Sequence, residues 1–234
     1  MRQKVIGMLG GMSWESSAEY YRIVNQRVQE RLGPTTSARC LLWSFDFAEM
    51  EALQHRDRWD DATTLMVDAA RLLEVAGAQV LVICTNTMHL MAQGVEAATT
   101  IPLIHVADPT AERIRAVGFR RVGLLGTAFS MERPFYRQRL HDRHGLDVLV
   151  PQAEDRATVQ RIIYEELVDG RVEPASREAY RRVIARLVDR GAEGIILGCT
   201  ESMLLVRPED SAVPLFDTTT LHAEAAVAMA LAET

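Results

Sequence analysis

Lysine is almost missing from this chain: of 26 basic residues only Lys4 is a lysine, and the others are arginine. A Schiff-base lysine for pyridoxal phosphate is therefore excluded everywhere except the start of the first predicted strand. Cysteine is sparse. Cys40, Cys84 and Cys199 form an odd set with no CxxC pair, unlike a secreted disulfide framework or a structural zinc site. No pair of histidines has metal-ligand spacing with a carboxylate, so metal catalysis is not expected. No apolar run approaches the ~20 residues of a membrane helix. Met1-Arg2-Gln3-Lys4 leads into only a short apolar run before Gly10-Gly11, so no secretion signal is expected. The net charge of −6 supplies no basic surface for nucleic acid or an anionic membrane. These absences together predict a cytoplasmic protein with reduced thiols, without pyridoxal phosphate or a catalytic metal.

What is present is an ordinary globular composition, 48% hydrophobic and 25% charged over 234 residues, long enough for one large or two small domains. Lys4-Val5-Ile6-Gly7-Met8-Leu9 is a continuous apolar run of the kind buried parallel strands have. Ser13 is placed to cap a helix from about Trp14 to Leu32, ended by Gly33-Pro34. A strand over 38–45 follows, then a loop containing Gln54, a helix over 59–76, a strand, a helix over 88–98 and a short strand over 102–106. The second half offers strands at 121–126, 147–150, 194–198 and 213–216. Its helices are expected over 131–144, 155–168, 174–190 and 219–231. Strands alternating with helices predict an α/β fold with mainly parallel sheets.

The chain also repeats itself. Gly191-Ala192-Glu193-Gly194-Ile195-Ile196-Leu197-Gly198-Cys199-Thr200-Glu201 copies Gly77-Ala78-Gln79-Val80-Leu81-Val82-Ile83-Cys84-Thr85-Asn86-Thr87 at an offset of 114. Arg121-Val122-Gly123-Leu124-Leu125-Gly126-Thr127 resembles Val5-Ile6-Gly7-Met8-Leu9-Gly10-Gly11 at an offset of 116. Two similar Rossmann-like halves are expected, 1–105 with 215–234 and 106–214, facing each other about a pseudo-twofold axis with the site in the cleft between them. The repeat sets Cys199 opposite Thr85, and Cys84 opposite Gly198.

Ligands bind outside the carboxyl ends of parallel strands. Four such ends carry small or polar residues: Gly10-Gly11-Met12-Ser13, Cys84-Thr85-Asn86-Thr87, Gly126-Thr127 and Cys199-Thr200-Glu201. Asn86, Thr87, Thr127 and Thr200, with nearby backbone N–H groups, could hold a carboxylate. Gly10-Gly11 lacks the G-x-G-x-x-G spacing and reads as a plain tight turn. Cys40 and Cys84 read as inert strand hydrophobes. Cys199 differs, because it ends a strand before a helix start, whose dipole is expected to lower its pKa. His89 and His105 read as ordinary helix-face and strand-end residues. Two facing halves with a thiol suit racemisation, which needs an acid and a base on opposite faces of Cα.

Gly-Gly-Met-Ser-Trp-Glu-Ser at 10–16, Cys-Thr-Asn-Thr-Met-His at 84–89, Leu-Leu-Gly-Thr at 124–127 and Gly-Cys-Thr-Glu at 198–201 resemble the aspartate/glutamate racemase family, and closest the aspartate racemase branch. The resemblance spans the whole chain. It implies two Rossmann-like domains, cofactor-independent proton transfer at an amino-acid Cα, and a homodimer. Two positions depart from the pattern. The family's first motif reads Cys-Asn-Thr, whereas here Thr85 precedes Asn86, so Thr85 takes the place of the first catalytic cysteine. The family helix Tyr-Glu-Glu-Ile-Lys is matched by Tyr164-Glu165-Glu166-Leu167-Val168, so the lysine for a distal carboxylate is replaced by Val168. Gln54 or an arginine is then left to meet that group.

The resemblance therefore implies a racemase acting on acidic amino acids, L-aspartate or L-glutamate before others. Cys199 and Thr85 would be catalytic. Met12, Gln54, Asn86, Thr87, Thr127, Thr200 and Glu201 would line the substrate. Two other readings fit the same residues: a maleate- or hydantoin-type isomerase or decarboxylase using one cysteine, and an amino-acid-binding protein with little catalytic power.

Overall fold

The computed structural model describes residues 3–232; positions 1, 2, 233 and 234, which the expected domain limits take in, lie outside them. Internal packing divides the chain into two compact units. One ends at Val106 and resumes at His222, and the other is Ala107–Leu221.

In the first unit the order is β1 (Ile6–Gly10), α1 (Trp14–Leu32), β2 (Cys40–Ser44), α2 (Phe47–His55), α3 (Trp59–Val75), β3 (Val80–Ile83), a 3-10 turn (Thr87–Met91), α4 (Ala92–Ala98) and β4 (Leu103–Ile104). The second unit has α5 (Ala107–Ala116), β5 (Arg121–Gly126), α6 (Ala128–Glu132), α7 (Pro134–His144), β6 (Asp147–Leu149), α8 (Ala153–Glu165), a 3-10 turn (Leu167–Asp169), α9 (Pro174–Asp189), β7 (Gly194–Gly198), α10 (Ser202–Leu205) and β8 (Leu215–Asp217). The last helix, α11 (Thr218–Leu231), starts in the second unit and continues into the first.

Each unit holds one four-stranded parallel sheet, ordered β2-β1-β3-β4 in the first and β6-β5-β7-β8 in the second. β1, β3 and β7 are apolar and wholly buried, and β5 is buried past Arg121, as central parallel strands covered on both faces are. In the first unit one face packs Leu9, Leu81 and Ile83 with α3 and the methionines Met12, Met50, Met66 and Met88. The other packs Ile6, Met8, Val80 and Val82 with Tyr20 and Val24 of α1 and Ala223, Ala226 and Val227 of α11.

The repeat is visible in the pairing register. Ile6 pairs with Val80 and Leu9 with Ile83; Val122 pairs with Gly194 and Leu125 with Leu197. Adding 116 to the first strand and 114 to the second turns one set of pairs into the other. Thr85 and Cys199 thus hold the same place, two residues past matched strand pairs.

Several expectations need correction. The boundary at 214/215 is wrong: Leu215 and Phe216 pair with Ile195 and Ile196 of β7, and Phe216 packs edge-on against Phe119. β8 therefore completes the second sheet, and the chain returns to the first unit only at His222. The expected loop around Gln54 is the helix α2, capped by Asp46, which accepts from Ala48 N at 3.0 Å. α5 is an element not expected from the sequence; it carries Pro109 in its first turn, where proline is tolerated. The single helix expected over 131–144 is two, α6 and α7. Pro134 keeps Arg133 extended (φ −76°, ψ 146°), and extended is what a residue before proline prefers.

Candidate active site

At the carboxyl end of β1 the chain turns on Gly11, whose φ of +86° leaves no room for a side chain: a Cβ there would collide with the Phe45 backbone. The Ser17 hydroxyl accepts from Gly11 N at 2.7 Å and donates to the Ser13 carbonyl at 3.1 Å. Ser13 caps α1 and accepts from Ser16 N at 3.4 Å. This bonding holds the 10–13 turn against the start of α1, with Met12 buried in the methionine-rich core.

At the carboxyl end of β3, Cys84 N donates to Leu9 O at 2.9 Å, which keeps Cys84 inside the sheet. Its side chain lies in the apolar cluster with Ile6, Met8, Tyr20 and Val227. Burial there pushes its thiol far above the ordinary range. Thr85, the next residue, is half-buried, and Asn86 and Thr87 are buried at the start of the 3-10 turn. Gln54 reaches the same turn from α2, donating to Met88 Sδ at 3.5 Å. The first unit thus gathers Met12, Gln54, Thr85, Asn86 and Thr87 at one end of its sheet.

The second unit gathers Thr127, Cys199, Thr200 and Glu201 in the same manner. Gly126 pairs with Gly198, so Thr127 and Cys199 follow on adjacent strands. Thr127 caps α6 and accepts from Ser130 N at 3.3 Å. Glu201 folds back over the strand end, where its Oε2 accepts from Cys199 Sγ at 2.9 Å and from Thr200 Oγ1 at 2.7 Å. Thr200 and Glu201, expected as substrate ligands, are therefore bonded to each other, and Glu201 to the thiol as well.

The expectation of a lowered Cys199 pKa is overturned. Burial first, and then the neighbouring Glu201 carboxylate, push the thiol well above its ordinary value; the Glu201 backbone N–H, and after it the Ser202 hydroxyl, work the other way. The helix that follows is one turn long, and its dipole is small beside the cost of burying a thiolate. Tyr180 of α9 is buried close by, its phenol pushed up by the same burial and by Cys199.

Val168 sits in the 3-10 turn after α8 and brings no charge there. Glu166, two residues before it, is held below the usual carboxylate range. The Ser176 hydroxyl, which donates to it at 2.5 Å, is the main cause, with Arg161 adding to it at 2.9 Å. Arg161 is thus spent on Glu166. Among the described residues no group of three His, Cys, Asp or Glu side chains could hold a metal ion. No helix among them is long and apolar enough to cross a membrane.

Three residues that sequence reasoning passed over belong to these sites: Ser17, Tyr180 and His89. Only His89 left a trace, its spacing of four from Thr85, which one helical turn brings together.

Comparison with known proteins agrees with the geometry. A 51% identical protein from Yersinia pestis, described as a candidate Asp/Glu racemase, superposes with a TM-score of 0.93 over 98% of this chain and 100% of its own. An aspartate racemase homologue from Pyrococcus horikoshii OT3 is 32% identical, with a TM-score of 0.85 over 97% and 99% of the two chains. The broad specificity amino-acid racemase RacX of Bacillus subtilis (strain 168) is 22% identical across 97% of this chain and 99% of its own. The family described as Asp/Glu/Hydantoin racemase matches residues 9–226. The chain belongs to the Asp/Glu/hydantoin racemase family of isomerases.

Proposed function

We propose that this chain racemises acidic amino acids, L-aspartate or L-glutamate before others, without a cofactor, using Cys199 and Thr85 on opposite faces of Cα. The observation that carries the reading is the shared register, in which Thr85 and Cys199 occupy the same place at the ends of β3 and β7. Cys199 enters as a thiol. Its proton passes to Glu201 Oε2, 2.9 Å away, as the sulfur takes the Cα proton and the electron pair of the Cα–H bond spreads into the substrate carboxylate. Thr85, or a water bonded to its hydroxyl, adds a proton to the other face and is reprotonated from solvent, while Glu201 releases its proton to solvent. Asn86, Thr87 and Thr127 are left to hold the substrate carboxylate, with Gln54 and Met12 near the side chain.

Glu201 is then the base that makes the thiol useful. Glu201→Gln should lower kcat/KM near neutral pH by about 10²- to 10⁴-fold, the usual worth of a general base. The residual rate should climb with pH, because Cys199 must then lose its proton to solvent. A pH–rate profile of the variant checks this, and an unchanged rate at neutral pH would remove Glu201 from the mechanism.

The reaction itself is tested by incubating L-aspartate and L-glutamate in deuterated water and resolving the products on a chiral column. D-enantiomer carrying deuterium at Cα is expected. A decarboxylated or geometrically isomerised product would favour a one-thiol enzyme of the same family. Ligand-induced stabilisation without any Cα exchange would favour a binding protein.

A further inference from the structure

We infer that His89 is a positioning residue for Thr85. The inference rests on the racemase reading for what Thr85 does, but the contact stands on its own. The His89 Nδ1 lies 2.8 Å from the Thr85 carbonyl oxygen, and Val106 N lies 3.1 Å from His89 Nε2. A carbonyl only accepts and a backbone N–H only donates. The ring must therefore carry its proton on Nδ1 and present a bare Nε2. Protonating Nε2 would set two donors against each other. His89 is thus a neutral two-ended strut between Thr85, two residues past β3, and Val106, where the first segment of the first unit ends.

The strut is buttressed. His105 lies tilted against it, 4.6 Å between ring centres, and His222 meets it edge-on at 5.4 Å. Partner chemistry fixes His222 in the same way: its Nε2 donates to the Ile104 carbonyl at 2.7 Å, and its Nδ1 accepts from the Tyr20 hydroxyl at 2.8 Å. All three imidazoles and Tyr20 are buried. The β3 ladder ends before Thr85, so sheet pairing does not hold its carbonyl, and the His89 ring does.

Two substitutions separate the ends of the strut. Asparagine can place its amide near the Nδ1 position and keep the Thr85 bond, whereas glutamine reaches the Nε2 position and keeps only the Val106 bond. Exchange with retention reports Cys199 alone, whereas inversion also needs Thr85. His89→Gln should slow formation of D product from L-aspartate and L-glutamate by about tenfold or more, since a misplacement near 1 Å is costly in catalysis. Its exchange with retention in deuterated water should stay within about threefold of wild type, with little change in KM. His89→Asn should stay within about threefold in both measurements. Long-range ¹⁵N–¹H correlation spectra of the wild type should show His89 protonated on Nδ1. Equal loss in the two variants, or a proton on Nε2, would overturn the inference. A wild type that exchanges neither amino acid would overturn the racemase reading instead, and the tautomer would still decide the contact.

Discussion

Cys199→Ala should stop Cα exchange: the rate from L-aspartate or L-glutamate is expected to fall by about 10²- to 10⁴-fold, the range a positioned acid–base group contributes. Cys84→Ala is the matched control. Cys84 lies one residue short of the Thr85 site, in an apolar cluster with Ile6, Met8 and Val227, and burial keeps it protonated. Its loss should cost about 1 kcal/mol of stability through the small cavity left behind and leave exchange within about threefold. Denaturant titration and deuterium exchange of both variants measure this contrast. Equal loss of exchange from two folded variants would contradict the assignment of Cys199 alone as the sulfur base.

The second large effect is a gain. A threonine hydroxyl is a far weaker acid than a thiol, whose ordinary pKa is near 8.5, so proton delivery from the Thr85 side is expected to limit inversion. Thr85→Cys should raise the rate of inversion by about 10- to 100-fold, moving the site toward two matched thiols. It should speed exchange from D substrates most. The side chain is half-buried, so sulfur replaces hydroxyl and methyl without reshaping a core. Chiral chromatography of both directions gives the answer. An unchanged or slower Thr85→Cys variant would show that position 85 does not deliver the proton.

Both forecasts depend on an equivalence that was legible in the residues. β3 and β7 are fully buried parallel strands, and such strands appear in sequence as unbroken apolar runs. Their two copies could therefore be aligned by eye, and the pairing of Leu9 with Ile83 and Leu125 with Leu197 reproduces that alignment. Less legible were elements whose limits depend on local caps. α2 rests on Asp46 at its start, and the break between α6 and α7 on Pro134.

The ionisation of Cys199 was hidden for a different reason. A strand ending before a helix suggests a favourable dipole, but the sequence does not say that the helix is one turn long. Nor does it say that Glu201 folds back onto the sulfur. Desolvation and a like charge decide the sign. His89 was hidden because a histidine on a short helical turn has many uses, and only the carbonyl of Thr85 and the N–H of Val106 single out one.

In the proposed reaction, Cys199 with Glu201 and Thr85 serve opposite faces of Cα, and those two sides would be chemically unequal. The enantiomers of a free amino acid have equal free energy, so kcat/KM for inversion must be the same in both directions. Unequal acids can show only in exchange with retention and in the separate values of kcat and KM. The direct measurement is α-proton exchange in deuterated water, followed separately for L- and D-aspartate and L- and D-glutamate before inversion accumulates. Fast exchange with retention from the L substrates and slow exchange from the D substrates is the expected result. Equal exchange from both enantiomers would contradict the pairing of a carboxylate-assisted thiol with a threonine.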